Sequence, residues 1–173
     1  MLSGSDEAVY NEEVAWVAKL KMLATDIVKN YPQVKLVGIC FGHQMVASAL
    51  GGVVSKMSLP EKEPCIFRPE TITLTKGFSS CGFVEKMCKG IKSLQLVEVH
   101  GDQVEQVPPG CELYGWSKSC KVECFGREGR VLCWQAHPEF NLFFSYHKLL
   151  VGDHEKGLMS DEFFERTAQH LRD

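Results

Sequence analysis

The chain has 173 residues, with 19 Lys and Arg against 22 Asp and Glu and 45% hydrophobic residues. That length buries a full core without staples, and 24% charged with 10% aromatic residues excludes disordered, collagen-like and coiled-coil classes. A formal charge of −3 with no run of four Lys or Arg argues against nucleic acid or an anionic membrane as partner, and the expectation is one domain over 1–173.

Eight cysteines stand at 40, 65, 81, 88, 111, 120, 124 and 133. The N-terminal stretch from Met1 to Glu13 has no basic region followed by an apolar one, and there is no CxxC pair. The expectation is therefore a cytoplasmic protein with free thiols, no metal and no disulfide framework. No apolar run approaches the roughly 18 residues of a membrane span.

In chain order, Trp16, Leu20, Leu23 and Ile27 predict an amphipathic helix over 12–30, capped by Asn11 and stopped by Pro32. Val34 to Ile39 is apolar and β-branched enough for a strand buried on both faces, and Met45 to Leu50 reads as a helix closed by Gly51-Gly52. Ser55 to Glu70 reads as loop and Thr71 to Thr75 as strand. Short strands are predicted over 94–99, 112–117, 121–125 and 131–134, separated by turn residues and forming a largely antiparallel meander. A last helix covers 161–171, capped by Ser160.

The sharpest feature is Gly38-Ile39-Cys40-Phe41-Gly42-His43-Gln44, a cysteine at a strand-to-helix joint with a glycine two residues to either side. Such a turn lifts a nucleophile out of the sheet, the glycines remove colliding side chains, and the helix N-terminus is expected to lower the thiol pKa. The second is Gln135-Ala136-His137-Pro138-Glu139, just after apolar Val131 to Trp134. Its spacing lets Glu139 reach one nitrogen of His137 while the other faces a thiol, as a Cys-His-acid system requires. His43, His147, His154 and His170 read as surface or structural, and no phosphate-binding or dinucleotide-binding glycine motif is present, so no cofactor is expected.

VGICFGHQ at 37–44, HGDQV at 100–104 and QAHPEF at 135–140 resemble the three signatures of class I glutamine amidotransferases, in that family's order. LSGSDEAVYNEEVAWV at 2–17 and YGWSKSCKVECF at 114–125 resemble its stand-alone GMP-synthase-like branch, which includes the γ-glutamyl peptidases. The resemblance implies an α/β, three-layer, flavodoxin-like fold, with a mostly parallel sheet and a small antiparallel part. It implies Cys40 as nucleophile, His137 as base and Glu139 as the acid orienting it. It further implies Phe41 and either Gly4 or Ser5 as backbone oxyanion donors, Gln44 as a substrate contact, and His100, Gly101 and Asp102 as lining the glutamyl pocket.

The expected substrate is glutamine or a γ-glutamyl small molecule. A synthetase partner or a homo-oligomer is also considered, and so is a catalytically impaired fragment or binding module. The chain departs from the family at Ala136, where a glycine is usual, and in 55–70, which lacks the usual GWEIG-like stretch. It also starts near the end of an early family strand, so the N-terminal part of the fold is expected to be shortened. On that reading only Met1-Leu2-Ser3 and the following helix hold the Gly4-Ser5 loop, and a sheet edge is left open.

Overall fold

A computed structural model describes residues 1–61, 63–82, 84 and 90–172. The first helix, α1 (Ala15–Asn30), begins three residues later than its periodicity predicts, after Val14 rather than Asn11. Asn11 instead turns its side-chain amide to Glu7. The buried face is also rotated, with Val17 and Ala24 inside while Trp16 and Leu23 are half exposed. Short side chains on the inner face allow α1 to lie close against the second helix.

Strand β1 (Leu36–Ile39) leads into α2 (Phe41–Ala49), which starts at the elbow itself and not at Met45. Gly51 then closes the helix with φ 86°, a left-handed conformation natural to glycine. Strands β2 (Val53–Lys56) and β5 (Asp102–Gln106) pair antiparallel as a separate two-stranded sheet. The predicted 55–70 loop is too long, because β3 runs over Ile66–Leu74. Pro69 sits inside β3 opposite Val97, whereas β3 meets its other neighbour only at Thr73 and Leu74, so the missing proline N–H faces a side without a ladder.

The remaining strands are β4 (Ser93–His100), β6 (Glu112–Trp116), β7 (Cys124–Arg127) and β8 (Val131–Trp134). A short α3 (Lys76–Ser80), absent from the sequence reading, precedes β4. Cys88, expected to be a free thiol, lies outside the described residues. After β8 the chain forms α4 (Leu142–Phe144), a π-helical run Ser145–Leu150 and α5 (Val151–Glu155), none of which the sequence reading predicts. The last helix, α6 (Asp161–His170), is capped as expected, the Ser160 hydroxyl accepting from the Phe163 N–H.

The large sheet has the order β1-β8-β7-β6-β3-β4. Side chains alternate between its faces: Val131, Cys133 and Phe125 meet α1 and α2, while Cys124, Trp134 and Tyr114 meet α3. The α/β class with helices on both faces is thus as expected. Among the described residues, parallel pairing is confined to β1 with β8 and to the Leu2–Gly38 bridge, and the other four ladders of this sheet are antiparallel. The antiparallel part is therefore larger than expected, since turns such as Glu128 to Arg130 are too short for parallel crossovers. Among the described residues, no helix is long and apolar enough to cross a membrane.

Candidate active site

Cys40 joins β1 to α2 with φ 52°, the sole non-glycine with positive φ among the described residues. Strain of this kind persists only where the surroundings enforce it. A Cβ on Gly38 would lie 2.5 Å from the Gly42 carbonyl oxygen, and one on Gly42 would lie 2.2 Å from the Leu2 carbonyl oxygen. The two glycines therefore permit helix, strand and N-terminal segment to converge at the elbow. The Cys40 N–H donates to the Trp134 carbonyl at 2.9 Å, tying the elbow to β8.

The Cys40 thiol points to the Val99 carbonyl at 3.6 Å. Burial pushes it up to about 12, against the opposing pull of the Phe41 N–H. The helix N-terminus thus does not yield the lowered pKa expected from the sequence, because desolvation outweighs it. The thiol needs a base.

His137 follows β8, and its N–H donates to the Val97 carbonyl at 2.9 Å. Its ring stacks on Phe140 at 4.1 Å, and Nδ1 lies 2.7 Å from Glu139 Oε1. Burial lowers its pKa, with Glu139 pulling it back up, so the ring is neutral near pH 7. A Cβ on Gly4 would stand 3.6 Å from His137 Cε1 and 4.0 Å from Cys40 Cβ. The fold therefore brings Gly4, Cys40 and His137 together. Ala136 is fully buried beside Trp134 and Ile72, so the methyl replacing the usual glycine is packed.

The other predicted residues divide. Phe41 directly follows Cys40, and its ring meets Trp16 at 5.4 Å. The Ser5 hydroxyl accepts from the Glu7 N–H. Gln44 is buried, and its amide donates to the Asp102 carbonyl at 3.0 Å and to Gln135 Oε1 at 3.1 Å. His100 also reaches the Asp102 carbonyl, at 2.9 Å, and the Gly101 carbonyl accepts from the Met57 N–H.

Several neighbours were missed by the sequence reading. Val9 is fully buried with Val17, Phe41 and Met45, Glu7 accepts from the Ala8 N–H and the Asn11 amide, and Tyr10 donates its hydroxyl to Asp102 Oδ1 at 3.0 Å. These contacts correct the expectation that only the Met1-Leu2-Ser3 stub and a helix hold the Gly4 loop. Glu98 and Glu123 are also fully buried below the elbow. Glu98 had a sequence signal, an acid two residues before a histidine and between the valines Val97 and Val99. His43 is buried against Phe125, and burial lowers it to about 3. Among the described residues no group of His, Cys, Asp and Glu converges to hold a metal ion.

The family described as glutamine amidotransferase class-I matches residues 14–150. The chain belongs to the class I glutamine amidotransferases. This amidotransferase is similar to γ-glutamyl peptidase 2 of Arabidopsis thaliana, 32% identical over 82% of this chain and 53% of the relative. It is also similar to a glutamine-hydrolysing GMP synthase component of Sulfolobus acidocaldarius, 32% identical over 67% of this chain and 56% of that protein. A solved glutamine amidotransferase from Thermotoga maritima shares its fold, with TM-score 0.70, 20% identity, and coverage of 97% of this chain and 70% of the other. The amidotransferase chain spans 52% to 64% of the length of the first curated relatives.

Proposed function

We propose that this class I glutamine amidotransferase is a thiol hydrolase of the γ-glutamyl amide of glutamine or of a γ-glutamyl peptide or conjugate. In this reading the neutral His137 takes the Cys40 thiol proton as sulfur attacks the γ-carbonyl carbon. The same proton passes to the leaving nitrogen as the C–N bond breaks, leaving a glutamyl thioester on Cys40. Water, deprotonated by His137, then attacks the thioester and releases glutamate and the free thiol. Glu139 orients the ring and stabilises the imidazolium, while the Phe41 N–H and a Gly4 or Ser5 N–H face the oxyanion. Gln44 and the His100-Gly101-Asp102 turn border the glutamyl pocket.

The observation that carries the proposal is the convergence of Cys40, on its positive-φ elbow, with Gly4 and the Glu139-bound His137. Residues 1–173 are read here as one amidotransferase domain, and seven free described thiols suit a reducing cytoplasm.

A second reading, favoured by the similarity to the glutamine-hydrolysing GMP synthase component, is a glutaminase that passes ammonia to a separate synthetase. One experiment separates the two and tests both. The purified chain, with Cys40→Ala as blank, is incubated with glutamine and with γ-glutamyl dipeptides, and released glutamate is measured. Turnover by the chain alone supports the hydrolase. Activity that appears only with an added synthetase supports the ammonia donor. No activity under either condition overturns both and leaves an impaired fragment or binding module.

A further inference from the structure

Below the elbow lie buried polar side chains that the proposed chemistry leaves unused. Glu98 and His100 stand two residues apart on β4, so they share a face. His100 Nδ1 lies 2.9 Å from the Asp102 carbonyl oxygen, which only accepts, so Nδ1 carries a hydrogen. Burial lowers the pKa of His100, which keeps its ring neutral and makes Nε2 a bare acceptor. Yet Nε2 faces Glu98 Oε2 at 3.1 Å. Two acceptors meet there unless the carboxyl carries a proton.

The same conflict recurs one step deeper. The carboxyls of Glu98 and Glu123 stand within hydrogen-bond reach of each other. The Ser117 hydroxyl donates to Glu123 Oε1 at 2.6 Å, but no described donor reaches Glu123 Oε2 or either oxygen of Glu98. A carboxylate stripped of water and of donors is strongly disfavoured against its acid form.

We propose that Glu98 and Glu123 are neutral carboxylic acids that complete a one-way chain of hydrogen bonds, from Ser117 through Glu123, Glu98 and His100 to the Asp102 carbonyl. In that role they are positioning residues for the β4–β5 turn. The consequence for turnover rests on the reading of that turn as a wall of the γ-glutamyl pocket. Gln44 donates to the same carbonyl from α2, so the turn is held from two sides.

The surroundings agree with the neutral forms. Burial holds both acids up at about 8, against an ordinary 4.5. Glu70 and Arg68 of β3 act on Glu98 in opposite senses, and Glu98 raises the cost of ionising Glu123, whereas the hydrogen bond with Glu123 eases that of Glu98. Cys40, Cys120 and Cys124 also feel the two acids, and His43, His137 and Asp102 interact with His100.

Glu98→Gln and Glu98→Leu test the proposal. The carboxamide N–H of glutamine replaces the acid's donor to His100 and cannot ionise, whereas leucine leaves Nε2 unpaired. Glu98→Gln is expected to stay within about threefold of wild-type kcat/KM at pH 7, while Glu98→Leu raises KM for the γ-glutamyl donor roughly tenfold and changes kcat less. Nitrogen-15 spectra of the wild-type histidines, with His100 assigned by its loss in His100→Gln, are expected to show Nδ1 protonated and Nε2 bare between pH 6 and 7.5. Glutamine and leucine variants equally damaged, or an imidazolium at His100, would make Glu98 a carboxylate and overturn the proposal. The spectra need neither turnover nor a folded Glu98→Leu. A protein that hydrolyses nothing therefore sinks the functional reading alone.

Discussion

At the residue scale, the raised thiol of Cys40 and the lowered imidazole of His137 set how the proposed chemistry would start: the thiolate would be made on demand, by transfer to the ring, and not stored. Cys40→Ala and His137→Ala are each expected to abolish turnover. Glu139→Ala, which removes an orienting carboxylate that is itself partly exposed, is expected to cost on the order of a hundredfold less than either. Steady-state kinetics of the three variants checks this, and equal modest losses would show the roles misassigned. The same chemistry predicts slow alkylation of Cys40 by iodoacetamide, slower still in His137→Ala and blocked by a glutamine analogue, with peptide mass spectrometry as readout. A second titration concerns stability. His43 is held neutral down to about 3 in the fold, against an ordinary 6.5, so its contribution is present above pH 6.5 and is lost as pH falls through 3. Urea midpoints between pH 7 and 4 are expected to fall for the wild type and to fall less steeply for His43→Leu.

At the element scale, the Gly4 loop is held by a plug at Val9 on one side and by the Leu2 bridge to β1 on the other. Val9, sealed among Val17, Phe41 and Met45, fixes the loop to the same helix that carries the elbow. Val9→Ala removes two buried methyl groups and is expected to cost about 2 kcal/mol of stability. If Gly4 donates to the oxyanion, kcat falls about tenfold or more as well, with KM little changed. Thermal melts and kinetics on the same sample test both parts, and a destabilised variant of unaltered kcat would detach the loop from catalysis. The sequence made some of this legible and hid the rest. The elbow and the His-Pro-Glu turn are local strings, so Cys40, His137 and Glu139 could be read directly. Glu98 and Glu123 come from β4 and from the residue before β7, which are not paired in the sheet, so they meet only through the tertiary fold and nothing within either segment announces the other. The start of α2 was missed because Phe41 to Gln44 lack a periodic apolar face, being buried all round. The face of α1 was misjudged because Trp16 and Leu23 offer more apolar surface than Val17 and Ala24, while only the shorter side chains are buried against α2.

At the scale of the whole molecule, the outer edge of β1 carries a single bridge, from Leu2 to Gly38, among the described residues. Elsewhere α1 exposes Trp16, Met22 and Leu23. An open strand edge and exposed apolar side chains each favour association with another chain. Self-association that rises with concentration is the expected behaviour in size-exclusion chromatography with light scattering, and a strict monomer at millimolar concentration would count against it. The place of Trp16 has one more consequence. Its ring lies 5.4 Å from Phe41, the residue that follows Cys40, whereas the Trp134 indole packs on Phe78 at the α3 face of the sheet and Trp116 stands half exposed at the end of β6. One of the three indoles thus stands next to the elbow, so the chain contains its own optical reporter, with emission that on the proposed reading tracks a covalent adduct forming and decaying on the sulfur without any attached dye.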